Sequence, residues 1–282
     1  MKLLRYKKNN KIFPGLIDNE GNIRDLSQII KDIDPNNLNT EIFKKIYSLD
    51  KNSLPNETEK ISILPCINNV SKIICVGLNY YDHAKELNLE IPKEPIIFMK
   101  ATSAISGPND NIIIPKNSKK TDWEIELAIV INKKGSNIDQ KDSLNYIAGY
   151  CILNDISERA YQLEQGGQWV KGKSCDTFCP IGPYLVTPDE ISDPQNLKIW
   201  LKLNNRIMQN SSTSFMIYKV EYLISYISKY MTLNAGDIIS TGTPPGVGGG
   251  MNPKVFLKNG DIINAGIDNL GEQNQKVINY NI

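Results

Sequence analysis

Several features that would indicate a function class at once are missing from this sequence. The five cysteines are odd in number and form no CxxC pair, so neither a disulfide framework nor a structural zinc site is expected. Lys and Arg number 32 against 31 Asp and Glu, which leaves no basic excess for nucleic acid or an anionic membrane. No apolar run is long enough to cross a bilayer, and the first residues lack the apolar stretch and cleavage site of a secretory signal. We therefore expect a cytoplasmic protein with reduced cysteines and no nucleic-acid or membrane partner.

Histidine is almost absent as well, since His83 is the only one in the chain. It follows an apolar segment and Gly77, in a stretch that can become helical. In a helix, His83 and Glu86 would lie one turn apart and could hydrogen-bond, which is the geometry that orients an imidazole as a general base. The alternative is a surface histidine in an amphipathic turn, which the residues alone do not exclude.

Two short strands are predicted near the start of the chain, at residues 2–6 and 12–17, on either side of turn-forming residues. Polar stretches of helical character follow, and the polar run over residues 50–60 is typical of a linker. We therefore predict a small N-terminal domain with its linker over residues 1–68 and a larger domain over residues 69–282.

Short apolar segments separated by Gly, Pro and Asn fill the chain from Lys72 onward. They cover residues 73–76, 96–99, 112–114, 147–153 and 197–203. This pattern predicts a mostly β domain with few helices. One helix is expected from Val220 to Tyr230, because Val220, Leu223 and Ile227 fall at the spacing of one buried face.

Acidic and apolar residues alternate over residues 122–131. Side chains alternate along a strand, so Asp122, Glu124 and Glu126 are expected on one face, with the two glutamates roughly 6 to 7 Å apart. Either that face is solvated and the side chains splay apart, or a cation lies between the carboxylates. An apolar strand that ends at Asp155 supplies a third candidate carboxylate. Three carboxylates offer oxygen ligands, which suit a hard ion such as Mg²⁺ or Mn²⁺ better than zinc.

A phosphate-binding pattern, GxxxxGK[ST], is matched letter for letter over residues 167–174. A true P-loop needs a buried strand before the motif and a helix that begins at its Lys and Ser. Here a polar, helix-like stretch precedes the motif, and Pro180 and Pro183 prevent a helix from continuing after it. We therefore reject nucleotide binding at this motif, while Lys173 remains a cation near the predicted acidic strands.

Glycine and proline are concentrated in one loop over residues 241–250, which has no nucleotide fingerprint. One interpretation is a structural turn between strands. The other is that its backbone amides and the hydroxyl of Thr243 line a small-molecule site. The residues alone leave both interpretations open.

Six segments between Lys72 and Gly271 form an ordered set. Their sequences are KIICVGLNYYDHAKE, PIIFMK, TDWEIELAIVI, AGYCILNDISERAYQ, GKSCDTFCPIGP and GDIISTGTPPGVG. Taken together, they resemble the successive signature blocks of the fumarylacetoacetate hydrolase superfamily. The resemblance implies an α+β fold that is mostly β, namely a mixed β-sandwich roll preceded by a small N-terminal α/β domain. It also implies a homodimer.

The resemblance assigns roles to individual residues. The family ligands that bind Mg²⁺ or Mn²⁺ match Glu124, Glu126 and Asp155. The His-x-x-Glu pair of the smaller members, a water-activating dyad on a lid, matches His83 and Glu86.

The remaining matches concern the substrate, a small oxo acid. The catalytic lysine of the family matches Lys173, and its substrate contacts match Arg159, Gln162 and Thr243. Some small members carry Arg where this chain has Leu78, so one carboxylate contact expected from them is missing. The fourth acidic metal ligand of the large members has no counterpart here.

The activity implied by the resemblance is hydrolysis of a carbon–carbon bond in a 2,4-dioxo acid, with release of pyruvate and a carboxylic acid. The subgroups that the chain resembles act on acylpyruvates and on 2,4-diketo-3-deoxy sugar acids such as the rhamnonate derivative. Oxaloacetate-type decarboxylation and keto–enol tautomerisation are alternatives in the same superfamily, since they use the same metal enolate without a hydrolytic water. A non-enzymatic sugar-acid or nucleotide-binding protein is a rival that only the glycine loop and the P-loop letters favour.

Overall fold

Strands dominate the computed structural model, which describes residues 1–281. In chain order the strands are β1 (Lys2–Lys8), β2 (Lys11–Ile17), β3 (Ile23–Asp25), β4 (Asn56–Glu57), β5 (Ser62–Ile63), β6 (Ile73–Gly77), β7 (Ile96–Lys100), β8 (Ile105–Ser106), β9 (Ile112–Ile114), β10 (Thr121–Asp122), β11 (Ile125–Ile131), β12 (Ile147–Asn154), β13 (Ser157–Glu158), β14 (Cys179–Pro180), β15 (Leu185–Val186), β16 (Lys198–Leu203), β17 (Arg206–Ser212), β18 (Ile238–Ser240), β19 (Ile262–Ile267) and β20 (Gly271–Asn279). The α-helices are α1 (Thr40–Tyr47), α2 (Tyr81–Glu86), α3 (Arg159–Leu163), α4 (Val170–Lys173) and α5 (Val220–Tyr230). Within residues 1–281, no helix combines the length and the apolar character needed to cross a membrane.

The larger sheet contains eleven strands, in the order β4-β3-β2-β1-β15-β12-β11-β18-β6-β7, with β5 paired to β1. Its centre is β11, which lies between β12 and β18. Every residue of β11 and β12 is buried. Strands that are covered on both faces are apolar along most of their length, which is why β11 reads IELAIVI. All pairs in this sheet are antiparallel except β18 and β6, which run in parallel.

The second sheet contains five strands, in the order β17-β16-β19-β20-β9. Its strands β16, β19 and β20 pack on β11 and β12 of the larger sheet, and the main apolar core lies between the two layers. Buried Gln273 in β20 donates from its side-chain amide to the carbonyl oxygens of Ile152, Pro180 and Gly182. The predicted α+β, mostly β fold is therefore confirmed, and so is α5 with its predicted bounds.

The N-terminal strands extend the larger sheet instead of forming one of their own. β1 pairs with β2 and also with β15, where Lys2 lies opposite Val186. The polar run over residues 50–60 contains β4, which pairs with β3, so this run is not an unstructured linker along its whole length. Backbone hydrogen bonds at the edge of the sheet determine the structure of this run. They cannot be predicted from the polarity of its side chains. The domain boundary near residue 68 stays a prediction.

The turn after β2 is organised by the carboxylate of Asp18. Its Oδ1 accepts from the backbone N–H groups of Glu20 (2.9 Å) and Asn22 (2.8 Å), and its Oδ2 accepts from Nε of Arg24 (2.7 Å). Burial by itself raises the pKa of Asp18, but these hydrogen bonds, with that from Arg24 foremost, lower it from the ordinary 3.8 to about 2.

We expect Asp18→Asn to lower the melting temperature near neutral pH, because the amide nitrogen cannot accept from Arg24. A carboxylate whose pKa is depressed by folding stabilises the protein above its unfolded pKa, and that stabilisation is lost as the pH falls through the folded value. The gap between wild type and variant should therefore narrow as the pH falls from 3.8 towards about 2. Thermal melts followed by circular dichroism measure the gap, and a gap that stays constant over this interval would contradict the assignment.

Candidate functional site

Four segments meet at one end of the central strands of the larger sheet. β6 and β18 are parallel, so the segments that follow them, α2 and the loop over residues 241–250, leave the sheet at the same end. β11 is antiparallel to β18, and β12 is antiparallel to β11, so the start of β11 and the end of β12 lie at that end too. Glu124 and Asp155 occupy these two positions, and the backbone N–H of Asp155 donates to the carbonyl oxygen of Glu124 over 2.8 Å.

Glu124, Glu126 and Asp155 form a buried acidic cluster. Each offers a carboxylate oxygen, and the three oxygens lie within 4.8 Å of one another. The residues are only 7%, 2% and 0% exposed. The alternative of a solvated strand face is therefore wrong, because all three carboxylates are buried.

The strand that carries the cluster is shorter than predicted, because β11 begins only at Ile125. The break follows from side chains that replace backbone partners: the N–H of Glu124 donates to the side-chain oxygen of Asn154, and the N–H of Ile125 donates to that of Gln209. Asp122 belongs to the separate strand β10.

Three cations surround the cluster. Nζ of Lys173 donates to Oε2 of Glu124 (2.6 Å) and to Oδ2 of Asp155 (2.7 Å). Nη2 of Arg159 lies 2.7 Å from Oε1 of Glu124, and Nζ of Lys100 lies 2.6 Å from Oδ1 of Asp155. Sequence reasoning missed Lys100, and the available signal was a charged residue at the end of the otherwise apolar strand β7.

Glu126 is the carboxylate of the cluster that no cation contacts within the described chain. Its Oε2 accepts from the hydroxyl of Ser240 and from the backbone N–H of Gly242 (2.8 Å). Burial, reinforced by the negative charges of Asp155 and Glu124, raises the pKa of Glu126 well above its ordinary value. A further positive charge beside Glu126 would favour its ionised form.

The pKa of Glu124 moves in the opposite direction. Burial by itself raises it, but the positive charges of Arg159 and Lys173 outweigh burial and lower it to about 2. Arg159 also pairs with Asp122, so the four carboxylates of Asp122 and the acidic cluster face three cations, counting Lys100. One negative charge is left over when all four carboxylates are ionised.

The Gly-Lys-Ser segment of the rejected P-loop pattern has a packing role. A methyl group at Gly172 would lie 2.5 Å from the carbonyl oxygen of Glu158 and 2.6 Å from the backbone nitrogen of Gln162, so glycine allows α4 to approach α3 closely. α4 ends at Lys173, where the helix of a P-loop would begin. The rejection of a P-loop is confirmed, and the close approach brings Lys173 to the acidic cluster.

His83 and Glu86 lie one turn apart on α2, in the helical geometry that the sequence predicts. Nδ1 of His83 lies 2.9 Å from Oε2 of Glu86, whose Oε1 accepts from the backbone N–H of Gly246 (2.9 Å). An ionised carboxylate can only accept, so this contact favours the neutral tautomer of His83 that carries its proton on Nδ1 and leaves Nε2 able to act as a base. His83 is 6% exposed, so the alternative of a surface histidine is wrong.

A cavity of about 380 Å³ joins these groups. His83, Glu124, Glu126 and Lys173 all line it. Its remaining wall is mainly apolar and is formed by Val76, Leu78, Leu87, Leu89, Ile96, Phe98, Leu163, Trp169, Val247 and Phe256. The predicted base and two of the three predicted metal ligands, Glu124 and Glu126, therefore face one common space.

The three predicted substrate contacts, Arg159, Gln162 and Thr243, line the same cavity. Nη1 of Arg159 donates to Oε1 of Gln162 (3.0 Å). The hydroxyl of Thr243 donates to the carbonyl oxygen of Ile125 (2.9 Å) and accepts from the side chain of Gln209 (2.8 Å), so it fastens the loop to β11. Their contacts with a substrate stay predictions.

We expect Lys100→Met to lower the free energy of unfolding by about 3–5 kcal/mol, because the substitution removes one of the two buried cationic partners of Asp155. The matched control is Lys120→Met, which breaks an exposed pair with Glu164 and should cost less than about 1 kcal/mol. Urea denaturation in EDTA measures both variants. Equal midpoints for the two variants would show that Lys100 does not stabilise the buried cluster.

Comparison with known proteins is consistent with this arrangement. Residues 72–278 match the family described as fumarylacetoacetate (FAA) hydrolase C-terminal. A protein of Burkholderia orbicola (strain MC0-3), which carries only a provisional hydrolase name, is 49% identical over 280 residues, covering 99% of each chain.

Solved structures share the fold over the whole chain. Fumarylacetoacetate hydrolase from psychrophilic Exiguobacterium antarcticum superposes with a TM-score of 0.90 at 33% identity, covering 99% of this chain and 100% of that one. Maleylpyruvate hydrolase from Sphingobium sp. SYK-6, in complex with manganese(II) ion and pyruvate, gives 0.83 at 26% identity, with 100% of both chains covered. The chain belongs to the fumarylacetoacetate hydrolase superfamily.

Proposed function

We propose that this protein is a metal-dependent hydrolase that cleaves a carbon–carbon bond of a 2,4-dioxo acid and releases pyruvate and a carboxylic acid. The observation that carries the proposal is that His83, held through Nδ1 by Glu86, lines the same cavity as Glu124 and Glu126. Hydrolytic cleavage needs both a base for water and a centre that stabilises negative charge. The manganese(II) and pyruvate bound by maleylpyruvate hydrolase add support.

Glu124, Glu126 and Asp155 would hold Mg²⁺ or Mn²⁺. All their ligand atoms are oxygens, one negative charge around them is uncompensated, and Glu126 accepts only from neutral donors. The residues present therefore fit a divalent cation. When bound, such a cation would polarise an oxo group of the substrate and stabilise negative charge on its oxygen.

The chain's own residues account for the proton transfers. Nε2 of His83 removes a proton from water, while Glu86 holds the ring in the required tautomer. The water oxygen bonds to carbon 4 of the substrate, and the bond between carbons 3 and 4 breaks with its electron pair moving to the pyruvyl fragment. A proton added to carbon 3 completes pyruvate, and carbon 4 leaves as a carboxylic acid. The ammonium of Lys173 stabilises the negative charge of the pyruvyl fragment.

The cavity wall supports an acyl tail on the substrate. Side chains such as Leu87, Phe98, Trp169 and Phe256 line it. A polyhydroxylated chain would bury hydroxyl groups against these side chains without hydrogen-bond partners, and only the fewer polar groups of the lining, Lys120, Glu164 and Lys254 among them, could bond them. Of the two substrate classes predicted from the sequence, the wall therefore favours acylpyruvates over diketo-deoxy sugar acids.

We expect pyruvate release from an acylpyruvate in the presence of Mg²⁺ or Mn²⁺. EDTA should abolish it, and Glu124→Gln should lower kcat at least about 100-fold, because one anionic ligand is lost. A coupled assay with lactate dehydrogenase measures pyruvate over a panel of acylpyruvates, diketo-deoxy sugar acids and oxaloacetate. Circular dichroism checks that the variant is folded, and full activity in EDTA would sink the proposal.

His83→Ala separates hydrolysis from the alternatives in the same superfamily. Hydrolysis should fall about 100-fold or more, because the proposed base for the attacking water is lost. Oxaloacetate decarboxylation and keto–enol tautomerisation need no hydrolytic water, so these activities should survive. Wild-type turnover of oxaloacetate alone, unchanged in His83→Ala, would replace the hydrolase by a decarboxylase.

Other expectations from the sequence stay predictions, namely the homodimer, the cytoplasmic location, and the absence of nucleic-acid and membrane partners. The rival of a nucleotide-binding protein has lost its motif, since α4 ends where a P-loop helix would begin. Calorimetry with ATP against a 2-oxo acid plus Mg²⁺ distinguishes the two ligands directly.

A further inference from the structure

The carboxylate of Asp122 has no part in the mechanism above, yet it is fully buried and accepts four hydrogen bonds. Its Oδ1 accepts from the backbone N–H groups of Trp123 (2.9 Å) and Gly248 (2.7 Å). Its Oδ2 accepts from the N–H of Gly249 (2.9 Å) and from Nε of Arg159 (2.8 Å), and Nη2 of Arg159 also lies 2.8 Å from Oδ2. Asp122 therefore joins the loop over residues 241–250, the glycine loop, to Arg159, which contacts Glu124 of the acidic cluster.

The same loop also contacts the dyad, at Gly246, two residues before Gly248. The N–H of Gly246 donates to Oε1 of Glu86, and the indole N–H of Trp123 donates to the carbonyl oxygen of Gly246 over 3.1 Å. A methyl group at Gly248 would lie 1.9 Å from the carbonyl oxygen of Val255, so the loop is closely packed and has little freedom to shift.

The opposite end of the network is a predicted metal ligand. Nη2 of Arg159, which contacts Asp122, also lies 2.7 Å from Oε1 of Glu124. Consecutive contacts of 2.7–2.9 Å, bridged by the loop backbone, thus lead from His83 through Glu86, the glycine loop, Asp122 and Arg159 to Glu124.

From this connection we infer that Asp122 is a positioning residue, which fixes the His83–Glu86 dyad relative to the acidic cluster by holding the glycine loop between them. The role rests on the proposed function for its consequence in turnover. α2 has only six residues and no side-chain cap at its N-terminus, so contacts with the rest of the protein must determine where the dyad lies.

Asp122→Asn tests the role with little change in shape. The amide nitrogen cannot accept from Gly249 or Arg159, so one side of the loop loses its anchor while Oδ1 can still accept. At saturating Mg²⁺ we expect kcat for pyruvate release to fall about 10- to 100-fold, with KM changed by less than about threefold. The matched control is Asp18→Asn, which also removes a carboxylate that accepts backbone N–H groups and pairs with an arginine, but lies far from the site. It should leave kcat unchanged.

A double-mutant cycle shows whether Asp122 acts through the dyad. If it does, adding Asp122→Asn to His83→Ala should lower the residual rate by less than about threefold, because the group being positioned is already absent. A general structural defect would instead multiply the two losses.

A second measurement does not depend on turnover or metal. His83 is the only histidine, so a ¹H–¹⁵N correlation of the imidazole nitrogens in metal-free protein reports this ring alone. Wild type and Asp18→Asn should show the tautomer protonated at Nδ1. Asp122→Asn should show an increased share of the tautomer protonated at Nε2, because Glu86 no longer keeps its position.

The inference is overturned if Asp122→Asn keeps the wild-type imidazole spectrum, or if its loss of kcat multiplies with that of His83→Ala. If Asp122→Asn does not fold, Gly249→Ala disturbs the same contact more gently, since its methyl group would lie 3.2 Å from Oδ2 of Asp122, and the same spectral change is expected. A wild-type protein that releases no pyruvate would refute the proposed function, while the spectra would still test the positioning role.

Discussion

Carboxylates buried side by side repel each other strongly, because little water is present to screen them. In this chain that repulsion is met by cations brought from three separate segments: Lys100 at the end of β7, Arg159 on α3 and Lys173 on α4. Two other contacts serve the same balance of charge. The close contact between α3 and α4 at Gly172 positions cations, and the pairing of β11 with β12 positions carboxylates. With Asp122 included, four carboxylates face only three cations, so the site favours one more positive charge at Glu126.

The sequence was most informative where a short-range pattern determines geometry. Alternation along a strand placed Glu126 and its neighbour Glu124 together, and the spacing of His83 and Glu86 predicted their hydrogen bond on a helix. An apolar strand that ends at Asp155 supplied a third candidate carboxylate, and the order of the signature blocks paired it with the other two, which alternation alone could not have done. The mostly β fold followed from short apolar segments in the same way.

Contacts between distant segments could not be predicted from such patterns. Lys100 reaches Asp155 across 55 residues, and nothing near either residue records that contact. Asp122 was expected on the same strand as the glutamates, but side chains of Asn154 and Gln209 occupy the backbone groups that would have continued the strand. The strand at residues 56–57 was hidden for a related reason, since a two-residue edge pairing leaves almost no periodicity in the sequence.

The parallel pairing of β18 with β6 has a consequence for how such an enzyme can change during evolution. Because of this pairing, two segments leave the sheet over the cavity: α2 with the residues that follow it up to β7, and the glycine loop. The acidic cluster remains on β11 and at the end of β12. Leu87 and Leu89, which line the cavity, belong to the first of these segments and contribute nothing to the buried charges. Substitutions there can alter which tail is accepted while the bond-breaking centre stays unchanged, so new substrates are accessible through mutations that leave the core of the fold intact.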